Sequence, residues 1–286
     1  MTTTTLPHRA GPLGWRAALN PFATLRHLWR HRELAWQLVR RDVEQRYRTS
    51  HLGLLWTVLT PLSTLVIYTF VFSTVLKARW RPEGSSTIEF ALALFAGLIP
   101  FNVFAEVANR APGLMPGSPN YVKKVIFPLD ILPVVTLGSA VIHSFISAAI
   151  LSVLVTVVTG DVAPRLMAVL PLAYLPLIFL ALGVGWLLAA LGAYVRDISH
   201  GVGIAVQFLM FLSPIVYPLQ AVPEAFRPLF TYNPMTTIVE VFRTLLLWHD
   251  WPDWRPWLLW TIGTALFAWF GHVWFTHLRR GFADVI

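Results

Sequence analysis

Long intervals without a charged residue constrain the fold of this chain most strongly. No Asp, Glu, Lys or Arg lies between residues 48 and 77, 130 and 161, 165 and 196, 197 and 224, or 255 and 279. A helix needs about 20 largely apolar residues to cross the hydrocarbon core of a bilayer, so each interval can supply a span. A shorter apolar run, 90–105, contains Pro100 and precedes Glu106. The pattern predicts an all-α membrane protein with six transmembrane helices.

The composition agrees with a membrane protein. Of the 286 residues, 56% are hydrophobic and only 13% are charged, which is too little polar surface to cover a soluble globule. The chain has no cysteine, so disulfides, thiolate metal sites and cysteine nucleophiles are excluded. Residues 1–21 are rich in Thr, Pro and Gly, and we expect a disordered cytoplasmic tail there rather than a cleaved signal peptide.

The segment before the first interval predicts an interfacial helix at 22–48. Its apolar residues recur at helical spacing, and its arginines are placed to meet water or lipid headgroups. Basic residues concentrate in this segment, so the positive-inside rule places the N-terminus in the cytoplasm. Lys77, Arg79 and Arg81 in the first predicted outer loop run against the rule, but the N-terminal group is larger. Six spans then place the C-terminus there too. The net charge of +8 fits orientation in a membrane better than nucleic-acid binding.

Prolines break the apolar stretch that follows residue 213. Residues 226–248 are long enough for two short helices that dip into the outer leaflet and return, with a break at Tyr232, Asn233 and Pro234. The alternative is an ordinary outer loop that rests on the membrane. We favour the re-entrant pair because proline interrupts an otherwise buried apolar pattern.

The sequence lacks the motifs of hydrolases, metal enzymes and NTPases. There is no GxxxxGK[ST], HExxH or GxSxG segment. His143 is alone within an apolar interval, and Glu106 and Asp130 lie near predicted span ends, where they do not suit a midplane proton relay. We therefore expect any transport to be driven by a separate cytoplasmic ATPase, which docks on loops near 117–128 and 194–200.

Five segments carry a family resemblance. They are RDVEQRYRTSHLGLLWTVLTPL (41–62), GLIPFNVF (97–104), NYVKKVIFPLDILP (120–133), YVRDISHG (194–201) and LSPIVYPLQAVPEAFRPLFTYNP (212–234). In this order and spacing they resemble the permease subunits of bacterial ABC-2 type transporters that export lipid-linked polysaccharide such as O-antigen, capsule or teichoic acid. The resemblance implies a transmembrane domain at 49–280, a homodimer around a central channel in the inner membrane, and two nucleotide-binding subunits that hold ATP and Mg. No cofactor or metal is expected on this chain, which would not itself be an enzyme.

The resemblance also implies roles for individual residues. The coupling contact with the ATPase maps to Asn120, Tyr121, Lys123 and Lys124, with a second contact at Arg196 and Asp197. The cap over the outer end of the channel maps to Phe226, Phe230, Tyr232, Asn233 and Pro234. The channel entrance and lipid headgroup site maps to Arg41, Asp42, Arg46, Tyr47 and Arg48. Because the C–H faces of sugars pack on aromatic rings, we expect channel-lining roles for Trp56, Tyr68, Phe72, Phe101, Phe104, Phe211 and Tyr217, although each could instead face lipid or pack between helices.

Two other functions stay open at this point. An ABC-2 permease for a drug or a simple lipid would share the spans and the coupling loop. A membrane-embedded transferase would need a cluster of acid, base or metal-binding residues at a membrane face. Its nearest candidates, Asp250 and Asp253, lie on the predicted outer side without a matching set of base and metal-binding residues.

Overall fold

The computed structural model describes residues 13–48, 55–75, Trp80, 87–123, 127–160 and 164–286. These residues are mostly helical and contain no strand. The all-α prediction is therefore confirmed for the described part of the chain.

The N-terminal segment contains three helices, α1 (Trp15–Ala18), α2 (Pro21–Arg30) and α3 (Arg32–Arg48). Asn20 caps α2 by accepting a hydrogen bond from the backbone N–H of Phe22, and Pro21 occupies the first turn. The single interfacial helix predicted at 22–48 is thus two helices that meet at His31.

Part of the predicted disordered tail is ordered. The rings of Trp15 and His277 pack in a T-shaped arrangement with their centroids 5.6 Å apart. Trp269 Nε1 donates a hydrogen bond to the carbonyl of Ala18. Both contacts attach α1 to the last long helix. The N-terminal part of the predicted tail, residues 1–12, lies outside the described residues.

The interfacial helices turn their apolar side chains away from the protein. Phe22, Leu25, Trp29 and Trp36 are exposed, whereas Thr24, His27 and Val39 on the other face are buried. In a membrane, such an apolar face lies in the boundary between headgroups and acyl chains.

The helix bundle is formed by α4 (Trp56–Tyr68), α5 (Thr87–Arg110), α7 (Ile131–Thr159), α8 (Pro164–Tyr194), α9 (Ile198–Leu212) and α12 (Trp254–Leu278). The short helix α6 (Pro119–Val122) lies in the loop between α5 and α7. Within the described residues, four helical segments are long and apolar enough to cross a membrane, at Ile88–Gly113, Ile131–Thr159, Ala168–Tyr194 and Trp254–Val285. Shorter apolar helices at Val58–Val71 and Ile198–Leu212 coincide with the first and fifth predicted spans.

The bundle packs around α5 and around a close crossing of α8 and α12. Most side chains of α5 from Phe90 to Ala108 are buried. At the crossing, a Cβ added to Gly271 would lie 2.6 Å from the carbonyl oxygen of Gly183. Small residues are what let two membrane helices approach so closely.

The proline-rich segment folds into α10 (Arg227–Thr231) and α11 (Pro234–Arg243), and the chain ends in α13 (Phe282–Val285). The chain breaks between α10 and α11 at Asn233, whose side chain accepts a hydrogen bond from Met235 N and donates to Leu212 O. The backbone therefore interrupts its helix where the sequence predicted a break.

Arg243, the last residue of α11, anchors this segment from within the bundle. It is fully buried and donates hydrogen bonds to the backbone carbonyls of Ala93, Pro214 and Ile215 at 2.6–2.9 Å. Its guanidinium also pairs with Glu240 at 2.8 Å. The sequence analysis did not single out this residue, although a cation in an apolar segment is unusual enough to do so.

Candidate functional site

A cavity of about 410 Å³ opens among α3, α4, α5 and α7. This volume is in the range of small-molecule sites. Its apolar wall includes Trp56, Phe95 and Ile99, and its polar lining consists of Arg46, Thr60, Thr64, Asn102, Glu106, His143, Ser144 and Ser147. An aromatic face beside hydroxyl, amide and charged groups can hold a ligand that has both apolar and hydrogen-bonding surface.

Two ion pairs join α3 to α5 at one side of this cavity. Arg46 forms a two-pronged pair with Glu106, with Nη2 to Oε1 at 2.8 Å and Nη1 to Oε2 at 3.4 Å. Arg110 forms a second one with Asp42, at 2.6 and 3.0 Å. Asp42 and Arg46 are four residues apart on α3 and therefore lie on the same face of that helix. Glu106 and Arg110 have the same spacing on α5 and also share one face.

The two pairs form one network. Arg110 Nη1 also donates to Glu106 Oε1 at 3.1 Å, which makes Glu106 the shared partner of both guanidinium groups. Arg46 Nη1 lies 2.8 Å from His143 Nδ1. Because arginine can only donate, His143 must accept at Nδ1 and is neutral in this arrangement.

The network is balanced in charge. Two cations face two carboxylates, and only part of each side chain is exposed to solvent. Burial raises the pKa of Asp42, but the hydrogen bonds and positive charge of Arg110, together with the positive charge of Arg46, outweigh burial and hold that pKa below its usual value. The carboxylate is therefore ionised at neutral pH.

The predicted entrance residues have different environments in the structure. Asp42 and Arg46 belong to the network, and Arg41 is exposed on α3. The side chains of Tyr47 and Arg48 lie outside the described residues. Sequence reasoning missed Glu106 and His143 as partners of Arg46, although a carboxylate and a histidine inside apolar runs are a recognisable signal.

The predicted coupling residues lie at the same end of the bundle. Asn120 and Lys123 are exposed, and the ring of Tyr121 stacks on Phe127 at 4.3 Å. Lys124 lies outside the described residues.

The second predicted coupling contact lies close to the start of the same loop. Arg196 and Asp197 are exposed in the turn before α9. The backbone of Pro112 packs so closely on Gly192 that a Cβ there would overlap it. The two predicted docking segments are therefore neighbours at one end of the molecule.

The predicted channel aromatics have different environments. Trp56 lines the cavity and Phe211 is half-exposed, while Tyr68 and Tyr217 are partly buried. Phe101 and Phe104 are packed in the core of the subunit, so in this conformation they offer no open surface to a substrate. The side chain of Phe72 lies outside the described residues.

The predicted outer-cap residues lie at the opposite end from α3. Phe226 and Tyr232 are exposed, Phe230 is buried, and Asn233 and Pro234 begin α11. Tyr217 donates a hydrogen bond to the carbonyl of Phe211, and its ring meets Phe230 edge-on. A second, mostly apolar cavity of about 410 Å³ lies between Tyr217 and Phe226.

Comparison with known proteins identifies the family. Residues 33–247 match the ABC-2 type transporter family. An O-antigen export system permease protein RfbA of Myxococcus xanthus is 26% identical over 92% of this chain and 98% of its own length. One of Klebsiella pneumoniae is 26% identical over 73% of this chain and 78% of its own length. The polysialic acid transport protein KpsM of Escherichia coli is 27% identical over 72% of this chain and 78% of its own length.

The family match covers almost all of α3, the polar cavity, the predicted coupling loop and the helices α10 and α11. The apolar helices agree with a multi-pass membrane protein. This chain is a member of the ABC-2 type transporter family, whose membrane subunits work with a nucleotide-binding partner.

Proposed function

We propose that this chain is the permease subunit of an ATP-driven exporter that moves lipid-linked polysaccharide from the cytoplasm across the inner membrane. The observation that carries this proposal is that the relatives named above are permeases or transport proteins for O-antigen or polysialic acid, and that one of them aligns along nearly the whole chain. The cargo class is the part of the proposal that these names support.

In this proposal two copies of the chain enclose the channel, and two nucleotide-binding subunits supply ATP and Mg from the cytoplasmic side. Each copy would contribute six spans, with α4 and α9 as the shorter ones and both termini in the cytoplasm. Exposed apolar side chains on these two helices, such as Val66, Ile67, Ile204 and Phe208, give a second copy or lipid a surface to cover. Helices α10 and α11 would form the re-entrant pair over the outer end.

The lipid carrier would reach the channel at α3. Arg41 is exposed and is the better candidate for its phosphate groups, because the charge of Arg46 is already compensated by Glu106. The adjoining cavity suits the sugar part of the substrate. Trp56 offers an aromatic face for sugar C–H groups, while Asn102 and Ser147 offer hydrogen bonds to hydroxyls.

Deleting the gene tests the function directly. We expect lipid-linked glycan to accumulate on the cytoplasmic side and the surface polysaccharide to disappear, with both restored by the wild-type chain. Unchanged surface polysaccharide, with no lipid-linked glycan accumulating, would rule the proposal out.

A further inference from the structure

An apolar groove with a volume of about 270 Å³ lies between α8 and α12. Its lining residues are Val184, Leu187, Leu188 and Leu191 of α8 with Phe270 and Trp274 of α12. The side chains of Phe270 and Trp274 are 53% and 39% exposed, so the groove is open at the surface of the bundle. The polar cavity lies among α3, α4, α5 and α7, so the α8–α12 groove is a separate site.

Two arginines flank an indole ring at one end of the groove. His277 follows Trp274 by three residues on α12 and therefore lies on the same face of the helix. The ring of His277 packs on Trp15 of α1. The guanidinium carbons of Arg16 and Arg280 lie 5.5 and 5.6 Å from the centroid of the Trp15 ring. The apolar groove is thus followed by two cations on one aromatic ring.

The charges of Arg16 and Arg280 are available to a ligand. Both side chains are exposed, and among the described residues neither of them forms an ion pair, even though Asp284 lies only one turn after Arg280. Arg279 differs, because its guanidinium lies 3.9 Å from the buried carboxylate of Asp130. An arginine that rests on an aromatic ring still has N–H groups to donate to an anion such as phosphate.

Contacts between the helices hold the groove and the arginine pair in place. The hydroxyl of Tyr194, at the end of α8, donates a hydrogen bond to the carbonyl of Leu278 on α12 at 2.8 Å. Helix α1 is held against α12 by the hydrogen bond from Trp269 Nε1 to the carbonyl of Ala18. The apolar surface and the two charges therefore have a fixed relation before any ligand binds.

We propose that the α8–α12 groove and the arginine pair bind an anionic phospholipid, with an acyl chain in the groove and the phosphate at Arg16 and Arg280. Charge complementarity selects the headgroup, because an anionic lipid is attracted to basic residues at the membrane surface. The bound lipid bridges α1 and the end of α12. In the proposed orientation it belongs to the cytoplasmic leaflet, and only this choice of leaflet rests on the proposed function.

The position of the groove favours a phospholipid over the lipid carrier of the glycan, although both have a phosphate and an apolar chain. The proposed entrance for the carrier is at α3, beside the polar cavity. The groove is lined by α8 and α12, and no residue of the polar cavity lines it as well. We therefore assign the groove to a membrane phospholipid.

Native mass spectrometry of the complex with its nucleotide-binding partner tests this proposal. The complex would be titrated in detergent with phosphatidylglycerol and with phosphatidylcholine of the same acyl chains. We expect the wild type to bind phosphatidylglycerol more tightly. Combining Arg16→Gln and Arg280→Gln should weaken phosphatidylglycerol binding about tenfold or more and leave phosphatidylcholine binding unchanged, because two basic residues are lost beside the anionic headgroup.

The matched control combines Arg26→Gln and Arg30→Gln. These two arginines are exposed on α2, so the control removes the same charge from a neighbouring helix. It should bind phosphatidylglycerol as the wild type does. A further variant, with Arg16→Lys and Arg280→Lys, keeps the charge and should bind phosphatidylglycerol more tightly than the variant with glutamine at both positions. Thermal unfolding without lipid checks that all the variants are folded.

Three results would overturn the inference. The first is equal binding of the two phospholipids by the wild type, and the second is equal weakening of phosphatidylglycerol binding in the two double glutamine variants. The third is displacement of phosphatidylglycerol by inorganic phosphate, or tighter binding of a polyprenyl diphosphate than of phosphatidylglycerol at the arginine pair. Each of them leaves the exporter proposal standing, because the gene deletion tests that proposal separately.

Discussion

Glu106 is the residue that holds the network beside the cavity together, because both Arg46 and Arg110 bond to its Oε1 atom. Without this carboxylate, two guanidinium groups would share a partly buried space with one remaining anion. Such a network is more sensitive to the loss of one member than an isolated surface pair is.

Glu106→Gln should therefore lower the free energy of unfolding by about 1–3 kcal/mol, the usual effect of losing hydrogen bonds to a charged group. The control is Glu44→Gln, which removes the exposed ion pair of Glu44 with Arg40. This variant should change the free energy of unfolding by less than about 0.5 kcal/mol. Unfolding of both variants in the same detergent gives the comparison. Equal losses of unfolding free energy in the two variants would show that Glu106 stabilises the fold no more than an exposed surface ion pair does.

The Asp42–Arg110 pair predicts a particular dependence on pH. The lowered pKa of Asp42 means that its ionised form stabilises the fold above the unfolded value of 3.8, and that this stabilisation is lost as pH falls through the lower folded value. The stability difference between wild type and Asp42→Asn should thus be constant from about pH 7 to pH 5 and shrink below about pH 4. Thermal unfolding across this range measures it, and a difference that titrates near neutral pH would contradict the assigned pair.

At this scale the sequence singled out residues but not their contacts. Asp42 and Arg46 were predicted at the channel entrance and Trp56 along the channel wall, and the structure brings Arg46 and Trp56 to one cavity. That Arg46 pairs with Glu106, 60 residues away, depends on which helices pack together, and no local pattern carries that information.

At the scale of elements, the crossing of α8 and α12 shows how small residues set helix packing. The nearest atoms to an added Cβ at Gly271 are backbone atoms of Gly183, at 2.6 and 3.1 Å, which cannot move aside as a flexible side chain can. Without a hydrophobic driving force between helices in lipid, such close contact is a main source of their association.

Gly271→Ala should therefore destabilise the chain by about 1–3 kcal/mol, the usual cost of overpacking. Gly263, on the same helix, is the matched control, because its added Cβ would meet only a side-chain atom of Trp260 at 3.8 Å. Gly263→Ala should be neutral, or stabilising by up to about 1 kcal/mol through the lower entropy of the unfolded chain. A similar loss in both variants would refute the close crossing.

Helices were more predictable than their ends. Charge-free intervals located α7, α8 and α12, and the shorter apolar run 90–105 located α5. The Tyr232-Asn233-Pro234 break appears as predicted because cap and proline chemistry are local. The break at His31 and the ordered α1 were missed. Both depend on tertiary contacts, such as those of Trp15 with His277 and of His27 with Asp130.

At the scale of the whole molecule, one end of the bundle gathers the features that an ATP-driven permease needs. The interfacial helices, the polar cavity, the loop with Asn120 and Lys123, and the turn at Arg196 all lie there. Helices α10 and α11 lie at the opposite end, where Arg243 of α11 donates a hydrogen bond to Ala93 of α5. In the proposed mechanism, the nucleotide-binding partner that the family implies hydrolyses the ATP.

Reconstituted transport tests the central claim most directly. The chain and its nucleotide-binding partner would be placed in proteoliposomes with labelled lipid-linked glycan on the ATPase side, and ATP-dependent appearance of label on the other side would be measured. We predict transport by the wild type, and we predict its loss, despite normal assembly, when Lys123→Glu and Lys124→Glu are combined. The control is Arg255→Glu, which reverses an exposed charge at the start of α12, at the opposite end of the bundle from Lys123. A complex with this variant should transport normally. ATP hydrolysis by the wild-type complex without any movement of glycan would contradict the account.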